Sequence, residues 1–309
     1  MKRKGIALLI TIALVATITA LLTVSTGILD NSFKRISNKL FLIQSNIFFN
    51  DFITILNDAT NDVNDSDTLD IFLMLPVAFA SEHKDIAVDI SFVSDASKIN
   101  INNIVEDSNS SKKRDPYEPI PLVRAYESYV EHILSIYNVS DKILLLSMIA
   151  DTVDDDLDER IPGSEIALAD PLFSQGSIYS VKHMEQIVEA YVRESRDYNA
   201  QQVPWKDLFG FRNTAVDFNH ISQDVLYHVA PELQESLDYY TTEREEVYDS
   251  YDGIPLNAET KVQLDTLGID FYSPEVRGSM NISSSDYSVE IEFSYNLKTK
   301  EVSHIEITN

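Results

Sequence analysis

The sequence contains no cysteine and a single tryptophan among its 309 residues. Without cysteine the chain can form no disulfide bond, no thiol nucleophile and no thiolate metal site. This absence neither requires nor excludes an oxidising compartment. Any metal ion that the chain binds must therefore be held by oxygen or nitrogen ligands.

Basic residues are also scarce. Lysine and arginine total 24 against 50 aspartates and glutamates, which gives a formal charge of -26. Because nucleic-acid binding relies on clustered cations that neutralise phosphates, we expect no nucleic acid as a partner. Cation binding, or simple solubility, is the better interpretation of the acidic excess.

Catalytic sequence motifs are missing as well. The sequence has no H-E-x-x-H, no G-x-S-x-G and no phosphate-binding loop. We therefore expect no enzyme. The alternative, a membrane-anchored enzyme, would require an apolar pocket with converging titratable groups. The six histidines show no metal-ligand spacing: His83, His132, His183, His220, His228 and His304.

The longest uncharged stretch runs from Gly5 to Leu29. It exceeds the roughly 7 to 15 apolar residues of a secretory signal and is long enough to span a bilayer. The basic residues at positions 2–4 place the N-terminus in the cytoplasm and the bulk of the chain outside it. An ordinary signal anchor, or a long signal peptide cut near residues 25–27, fits the same pattern.

Beyond this stretch, apolar residues recur at intervals of four and three, which marks one stripe of an α-helix. We expect this spine helix to persist to about Leu56 and to pack on the outer domain. A coiled-coil stalk is the alternative interpretation of the same spacing. The residues of the stripe are Leu29, Phe33, Ile36, Leu40, Ile43 and Ile47.

The rest of the chain changes from strand to helix and back to strand. Ala87–Phe92 alternates as a half-buried strand, and Tyr287–Phe293 with Val302–Ile307 predicts a β-hairpin. Between these blocks the pattern becomes helical. Amphipathic stretches are predicted at Leu122–Tyr137, Val181–Ser195 and Ser222–Ser250, and a further helix at Asp141–Ala150.

Strands at both ends of a helical middle predict an α+β protein, in which an antiparallel sheet domain is interrupted by a large α-helical insertion. The polar, proline-bearing stretch at 106–121 is typical of a domain linker. The predicted segments are a leader at 1–5, a transmembrane and spine helix at 6–56, an α/β domain formed by 57–104 and 263–309, and a helical insertion at 105–262.

The most distinctive chemical feature is a run of five aspartates within residues 151–158. Counted from Asp154, acidic residues fall at positions one, three, five and twelve, as side-chain ligands do in a calcium-binding EF-hand loop. Glu159 stands where an EF-hand has glycine, and Pro171 interrupts the exiting helix, so the loop must bend differently. Uncompensated carboxylates repel one another and favour a cation, although a solvated acidic loop is the alternative. The predicted Ca²⁺ ligands are Asp151, Asp154, Asp156, Asp158 and Glu165.

The N-terminus resembles the class III signal of type IV pilins and type II secretion pseudopilins. A basic leader ends in Gly5, and the apolar helix begins at once with Ile6. In these families a prepilin peptidase cuts after the glycine, so the resemblance implies processing between Gly5 and Ile6. Most members carry glutamate at the fifth mature position, where this chain has Ile10. The absence of this glutamate is the pattern of minor pseudopilin K. A K subunit has no subunit ahead of it, so no neighbouring N-terminal amine needs its carboxylate as a partner.

The acidic loop and two further segments resemble the general secretion pathway protein K family. Residues 94–104 resemble the turn that leads to an Asn-Leu-Asn-Asn-Leu signature, with isoleucine in place of leucine. Residues 216–226 resemble the segment in which the family has Val-Asn-Thr-Ala before a helix. In the acidic loop, Thr152 replaces the usual tryptophan. The loop residues that match the family pattern are Asp151, Asp154, Asp156, Arg160, Gly163 and Glu165.

The resemblance implies a pilin-like α/β core with a large helical insertion and bound calcium. It implies a minor pseudopilin that caps the tip of the periplasmic pseudopilus of a type II secretion system, in a complex with minor pseudopilins I and J and with H beneath. The implied location is the inner membrane, crossed once, with the bulk of the chain in the periplasm. A secreted substrate and the outer-membrane secretin are further candidate partners. The alternative is a minor pilin of a type IV pilus, which shares the leader and the spine.

Overall fold

The computed structural model describes residues 14–19, 38–75, 77–80, 86–106, 120–212, 215–244, 246–284 and 287–308. The chain divides into two compact units. The sheet unit comprises Met1–Asp95 and Tyr272–Asn309, and the helical unit, Ala96–Phe271, lies between these two segments in the sequence. The α+β class with an antiparallel sheet is confirmed.

The elements are numbered in chain order. The strands are β1 (Val77–Ala80), β2 (Ala87–Ser94), β3 (Ile99–Asn100), β4 (Phe209–Gly210), β5 (Val216–Asp217), β6 (Ile269–Asp270), β7 (Glu275–Ser283), β8 (Ser288–Asn296) and β9 (Val302–Thr308). The α-helices are α1 (Asn38–Ala59), α2 (Ser66–Leu73), α3 (Arg124–Ile136), α4 (Lys142–Val153), α5 (Ile166–Ala169), α6 (Val181–Ser195), α7 (Trp205–Leu208), α8 (Gln223–Val229), α9 (Leu237–Tyr240) and α10 (Ala258–Thr266). Short 3₁₀ helices cover Ile101–Ile104, Asn199–Gln202, Phe218–His220 and Pro231–Ser236.

The two units divide at other positions than the sequence indicated. Residues 96–104 and 263–271, which we predicted to belong to the sheet domain, fall in the helical unit. The reason is strand pairing, because β3 pairs with β4 and β6 pairs with β5, all within the helical unit.

Helix α1 lies in the predicted spine and continues to Ala59, but the predicted stripe is not its buried side, since Ile43 and Ile47 are both 56% exposed. Phenylalanine and leucine side chains line its core-facing side, where Phe41, Phe49, Phe52 and Leu56 are buried. Residues 14–19 are also helical, whereas the leader and the other residues before Asn38 lie outside the described residues. Within the part of the chain that the structure describes, no helix is long and apolar enough to cross a bilayer.

The antiparallel sheet has the strand order β1-β2-β7-β8-β9. Its long strands bury alternate residues, so one face packs into the core with α1 while the other face stays polar. Gly278 of β7 lies directly opposite Phe293 of β8. A side chain at Gly278 would overlap the Phe293 ring, which packs edge-to-face on Phe49 at a centroid distance of 5.0 Å.

A short parallel strand pairing occurs twice in the helical unit. β3 pairs with β4, and β5 pairs with β6. Each first strand ends in a polar residue, Asn100 or Asp217, whose side chain accepts a hydrogen bond from the backbone N–H two residues later. Each strand then passes directly into a 3₁₀ helix. The helical unit therefore contains the same strand-to-helix turn in two places.

The helices predicted in the helical unit are confirmed except in one region. α3 lies within the predicted Leu122–Tyr137, and α6 has the predicted bounds. The predicted helix at Ser222–Ser250 is wrong, because α8 ends at Val229 and a 3₁₀ helix begins at Pro231. Proline has no N–H for an i→i−4 hydrogen bond and its ring collides with the preceding turn, so the helix cannot continue.

A candidate metal site in the acidic loop

The acidic run begins inside a helix. α4 starts at Lys142, where the side chain of Asp141 caps the N–H of Leu144 at 3.0 Å, and it extends three residues past the predicted end at Ala150. Asp151 therefore lies on the last turn of α4 and Asp154 is its C-terminal cap, and both side chains are buried. A helix C-terminus carries partial negative charge, so this position disfavours carboxylates.

Arg160 compensates part of that charge. Its Nε atom lies 2.7 Å from Asp151 Oδ1, and its Nη2 atom donates to Asp154 Oδ2 at 2.7 Å. Its Nη1 atom donates to the backbone oxygen of Ile120 at 2.5 Å. One guanidinium thus bridges two buried aspartates and anchors them to a segment distant in the sequence.

A tight turn returns the chain to the end of α4. The Ser164 N–H donates to the Ile161 oxygen at 3.0 Å, and Gly163 within this turn has φ of +87°, a conformation that favours glycine. The Ser164 hydroxyl then donates to Asp151 Oδ2 at 2.5 Å. The turn therefore places the next residue, Glu165, close to the buried aspartates.

Glu165 is a third buried carboxylate. It caps α5, since its Oε1 atom accepts the N–H of Ala167 at 3.1 Å, and it also accepts the side-chain amide of Gln175 at 2.5 Å. The same amide donates to the Asp156 backbone oxygen at 3.2 Å. Gly176 closes the loop by donating its N–H to the backbone oxygen of Asp154 at 3.1 Å.

Three carboxylate oxygens in this cluster accept no hydrogen bond from a described residue: Asp154 Oδ1, Glu165 Oε2 and Asp151 Oδ1, the last of which has only its ion-pair contact with Arg160. Burial raises the pKa of Asp154 to about 7, an effect that Arg160 opposes and that Asp156 and Asp151 reinforce. Burial also raises the pKa of Glu165 to about 7, and Asp151 and Asp156 add to that increase. The anionic forms of these two carboxylates are therefore disfavoured here, and a bound cation would stabilise them.

The predicted ligands are brought together only in part. Asp151, Asp154 and Glu165 converge as buried carboxylates, and Asp156 lies close enough to influence the pKa of each of them. Asp158 is exposed, and its backbone N–H donates to Asp156 Oδ1 at 2.9 Å. Among the residues that the structure describes, no three histidine, aspartate or glutamate side chains are arranged to hold one metal ion.

The chemistry of the donors nevertheless suits Ca²⁺. The unpartnered oxygens of Asp154 and Glu165 are hard ligands, and they are buried where an uncompensated charge is costly.

The residues that sequence spacing missed are Ser164 and Gln175, together with the role of Arg160 as a counter-ion. The arginine close to the aspartate run could have indicated that role. The contact between Gln175 and Glu165, which are ten positions apart, corresponds to no sequence pattern.

Two other candidate sites are the predicted processing residues and a cavity in the helical unit. Gly5 and Ile6, the predicted processing residues, lie outside the described residues. A cavity of about 420 Å³ in the helical unit is lined by Ala215, Asp265, Gly268, Ile269, Asp270 and Phe271, a set that includes no histidine, lysine or arginine.

The fold combines a sheet packed on one long helix with a large helical unit that is inserted, in the sequence, between the second and third strands of that sheet. It is similar to a chain of the crystal structure of the GspK-GspI-GspJ complex from the type 2 secretion system of enterotoxigenic Escherichia coli. The TM-score is 0.59 and the sequence identity 11%, and the match covers 88% of this chain and 98% of that chain. The likeness shows a GspK-like fold. No protein-family model and no curated protein matches the sequence.

Proposed function

We propose that this chain is a minor pseudopilin of a type II secretion system and that it caps the tip of the periplasmic pseudopilus. The observation that carries the proposal is the GspK-like fold, matched over 88% of this chain and 98% of its structural neighbour. The leader that ends in Gly5 supports the same class. In this proposal the chain is anchored in the inner membrane, crosses it once and catalyses no reaction.

The size of the helical unit favours a terminal position. In a helical filament every subunit repeats the same contacts with its neighbours, so an insertion as long as Ala96–Phe271 would have to be accommodated at every step. At the tip it needs space only once. Ile10, in place of the usual glutamate, agrees with a subunit that has none ahead of it.

The partners proposed are minor pseudopilins I and J, with H beneath, and prepilin peptidase for maturation. The structural neighbour comes from a GspK-GspI-GspJ complex, which supports the first two. The secretin and a secreted substrate are proposed as later contacts of the exposed tip.

The acidic loop is proposed to bind Ca²⁺ through Asp151, Asp154 and Glu165, with Asp156 and Asp158 at its exposed side. The ion would supply positive charge that Arg160 alone does not provide. The protein's own residues hold the loop in position for it, because Ser164 and Gln175 fix the carboxylates of Asp151 and Glu165.

The partner proposal can be tested with single cysteines, because the chain has no thiol of its own. Ile43→Cys and Ile47→Cys place one thiol on the outer side of α1, where both residues are 56% exposed. We expect cross-links to cysteines in the spine helices of pseudopilins I and J of the same cell. Val262→Cys, 64% exposed on α10, is the matched control that should not cross-link to those helices. Cross-linking to type IV minor pilins instead would establish the alternative assignment.

The calcium proposal needs a separate readout. Trp205 is the only tryptophan and is buried in the helical unit, so its fluorescence reports unfolding of that unit. A site saturated at 100 times its dissociation constant should add about 2.7 kcal/mol to the free energy of unfolding. Asp154→Asn and Glu165→Gln should abolish the increase, and Glu259→Gln on α10 should leave it unchanged. An unchanged midpoint in millimolar Ca²⁺ would leave the loop as a solvated turn.

A further inference from the structure

The last strand of the sheet has an open edge. β9 pairs with β8 on one side, and no strand among the described residues pairs with its other side. A free edge exposes backbone N–H and C=O groups in a row, which is a template for another strand.

The core side of β9 is apolar but uncovered. Ile307 lies opposite Ile291 in the register, and Ile291 is completely buried, so both point to the core face of the sheet. Ile307 is nevertheless 44% exposed. Ile305, two residues earlier, lies where the register of β9 on β8 shifts, and it is 52% exposed. The apolar face of the sheet thus continues beyond its covered part.

The opposite face of the same edge is acidic. Glu292 of β8 lies directly across from Glu306 of β9, and Glu290 is two residues along from Glu292 on the same face. All three are exposed, and none forms an ion pair with a described residue. Arg277, the cation on this face of β7, is already paired with Asp95. Like charges directly opposite one another destabilise a strand pair, so this edge gains from added positive charge.

We propose that β9 binds an extended segment of another protein, added as a sixth strand, in which aliphatic residues alternate with lysine or arginine. The aliphatic residues would cover Ile305 and Ile307, and the basic residues would lie beside Glu306, whose partner on β8 is Glu292. Strand addition takes its affinity from main-chain hydrogen bonds and its specificity from the alternating side chains. A second copy of this chain fits poorly, because it would bring the same glutamates, and a chain of formal charge -26, against each other.

The test uses the full chain in non-ionic detergent and two capped heptapeptides, one alternating lysine with valine and one alternating glutamate with valine. We expect the lysine peptide to bind at least about tenfold more tightly, since like charges at an interface are strongly unfavourable. Binding should also slow hydrogen exchange in residues 302–308. A third peptide, with N-methylated valines, should not bind, because it keeps the charges but cannot form the main-chain hydrogen bonds.

Variants of the chain sharpen the result. Glu306→Lys should reverse the preference between the two peptides, whereas Asp89→Lys, exposed on the same face but three strands away, should leave it unchanged. Equal binding of the N-methylated peptide, or no protection of residues 302–308, would overturn the proposal. Self-association of the chain would also overturn the proposal if the double variant Ile305→Thr, Ile307→Thr abolished it. In that case a second copy of the chain would be the occupant of the edge.

Discussion

Asn102 and Asn219 make the same three contacts at the two strand-to-helix turns of the helical unit. Asn102 Oδ1 accepts the N–H of Ile178 at 2.7 Å, and its amide donates to the oxygens of Ile178 at 2.9 Å and Phe211 at 3.1 Å. Asn219 Oδ1 accepts the N–H of Tyr248 at 2.8 Å, and its amide donates to the oxygens of Tyr248 at 2.9 Å and Phe271 at 2.8 Å. In each place one side-chain amide, partly buried at Asn102 and buried at Asn219, ties a distant loop to the strand pair.

Replacing either asparagine should destabilise the helical unit. Asn219→Ala leaves the N–H and C=O of Tyr248 and the C=O of Phe271 without this partner, and we expect a loss of about 2–4 kcal/mol in the free energy of unfolding. Asn102→Ala should cost a similar amount. Urea unfolding followed by Trp205 fluorescence measures both.

The matched control for these variants is Asn103→Ala, beside Asn102. The Asn103 side chain donates one hydrogen bond, to the Tyr126 hydroxyl at 3.1 Å, so its loss should cost only about 1 kcal/mol. An equal effect at positions 102 and 103 would contradict the bridging role.

Gly278→Ala should destabilise the sheet unit by about 1–3 kcal/mol, because the new methyl group overlaps the Phe293 ring in a packed core. We expect faster hydrogen exchange in β7 and β8, with unchanged Trp205 fluorescence unfolding. Ser279→Ala, the next residue on the opposite face, is the control and should have little effect. Wild-type exchange rates in the Gly278→Ala variant would show that Phe293 can move aside freely.

Arg160→Met should destabilise the helical unit by about 3–5 kcal/mol, since it leaves Asp151 and Asp154 buried without their counter-ion. The triple variant with Asp151→Asn and Asp154→Asn should recover part of this loss, because neither of the two positions paired with Arg160 then carries a buried charge. Arg193→Met, an exposed arginine on α6, serves as the control. Without such recovery, Arg160 would act through packing and its Ile120 contact instead.

His183 should make the stability of the helical unit depend on pH. The ring is buried against Phe173 and Tyr179, and burial lowers its pKa below 6.5, an effect that the Ser174 backbone partly opposes. The unfolded chain therefore binds a proton before the folded chain does. The contribution of a neutral His183 is complete above about pH 6.5 and is lost as the pH falls through the lowered pKa.

The measurement for His183 is the urea midpoint between pH 7.5 and 5, followed by Trp205 fluorescence. We expect His183→Gln to flatten the decline at acidic pH relative to the wild-type chain. His304→Gln, an exposed histidine of the sheet unit, should leave it as it is. A decline that persists unchanged in His183→Gln would assign it to other groups.

The acidic loop shows how far sequence spacing can reach. The spacing identified Asp154, Asp156, Asp158 and Glu165 as a group, whereas in the structure the buried carboxylates that come together are Asp154, Glu165 and Asp151. The spacing treated Asp158 as equivalent, yet that side chain is exposed. Spacing is read along one dimension, whereas the direction of each carboxylate depends on where α4 ends and how the turn at Gly163 bends.

By itself the sequence determined the local features of this protein. Period-two alternation predicted β2, β8 and β9, and the amphipathic spacing of apolar residues predicted α3 and α6, because each pattern depends only on neighbouring residues. Tertiary structure alone decided the contacts between distant segments. The pairing of β3 with β4, the bridge from Arg160 to Ile120 and the amides of Asn102 and Asn219 join positions far apart in the chain, and no local pattern encodes which of many possible partners the packed fold brings within hydrogen-bonding distance.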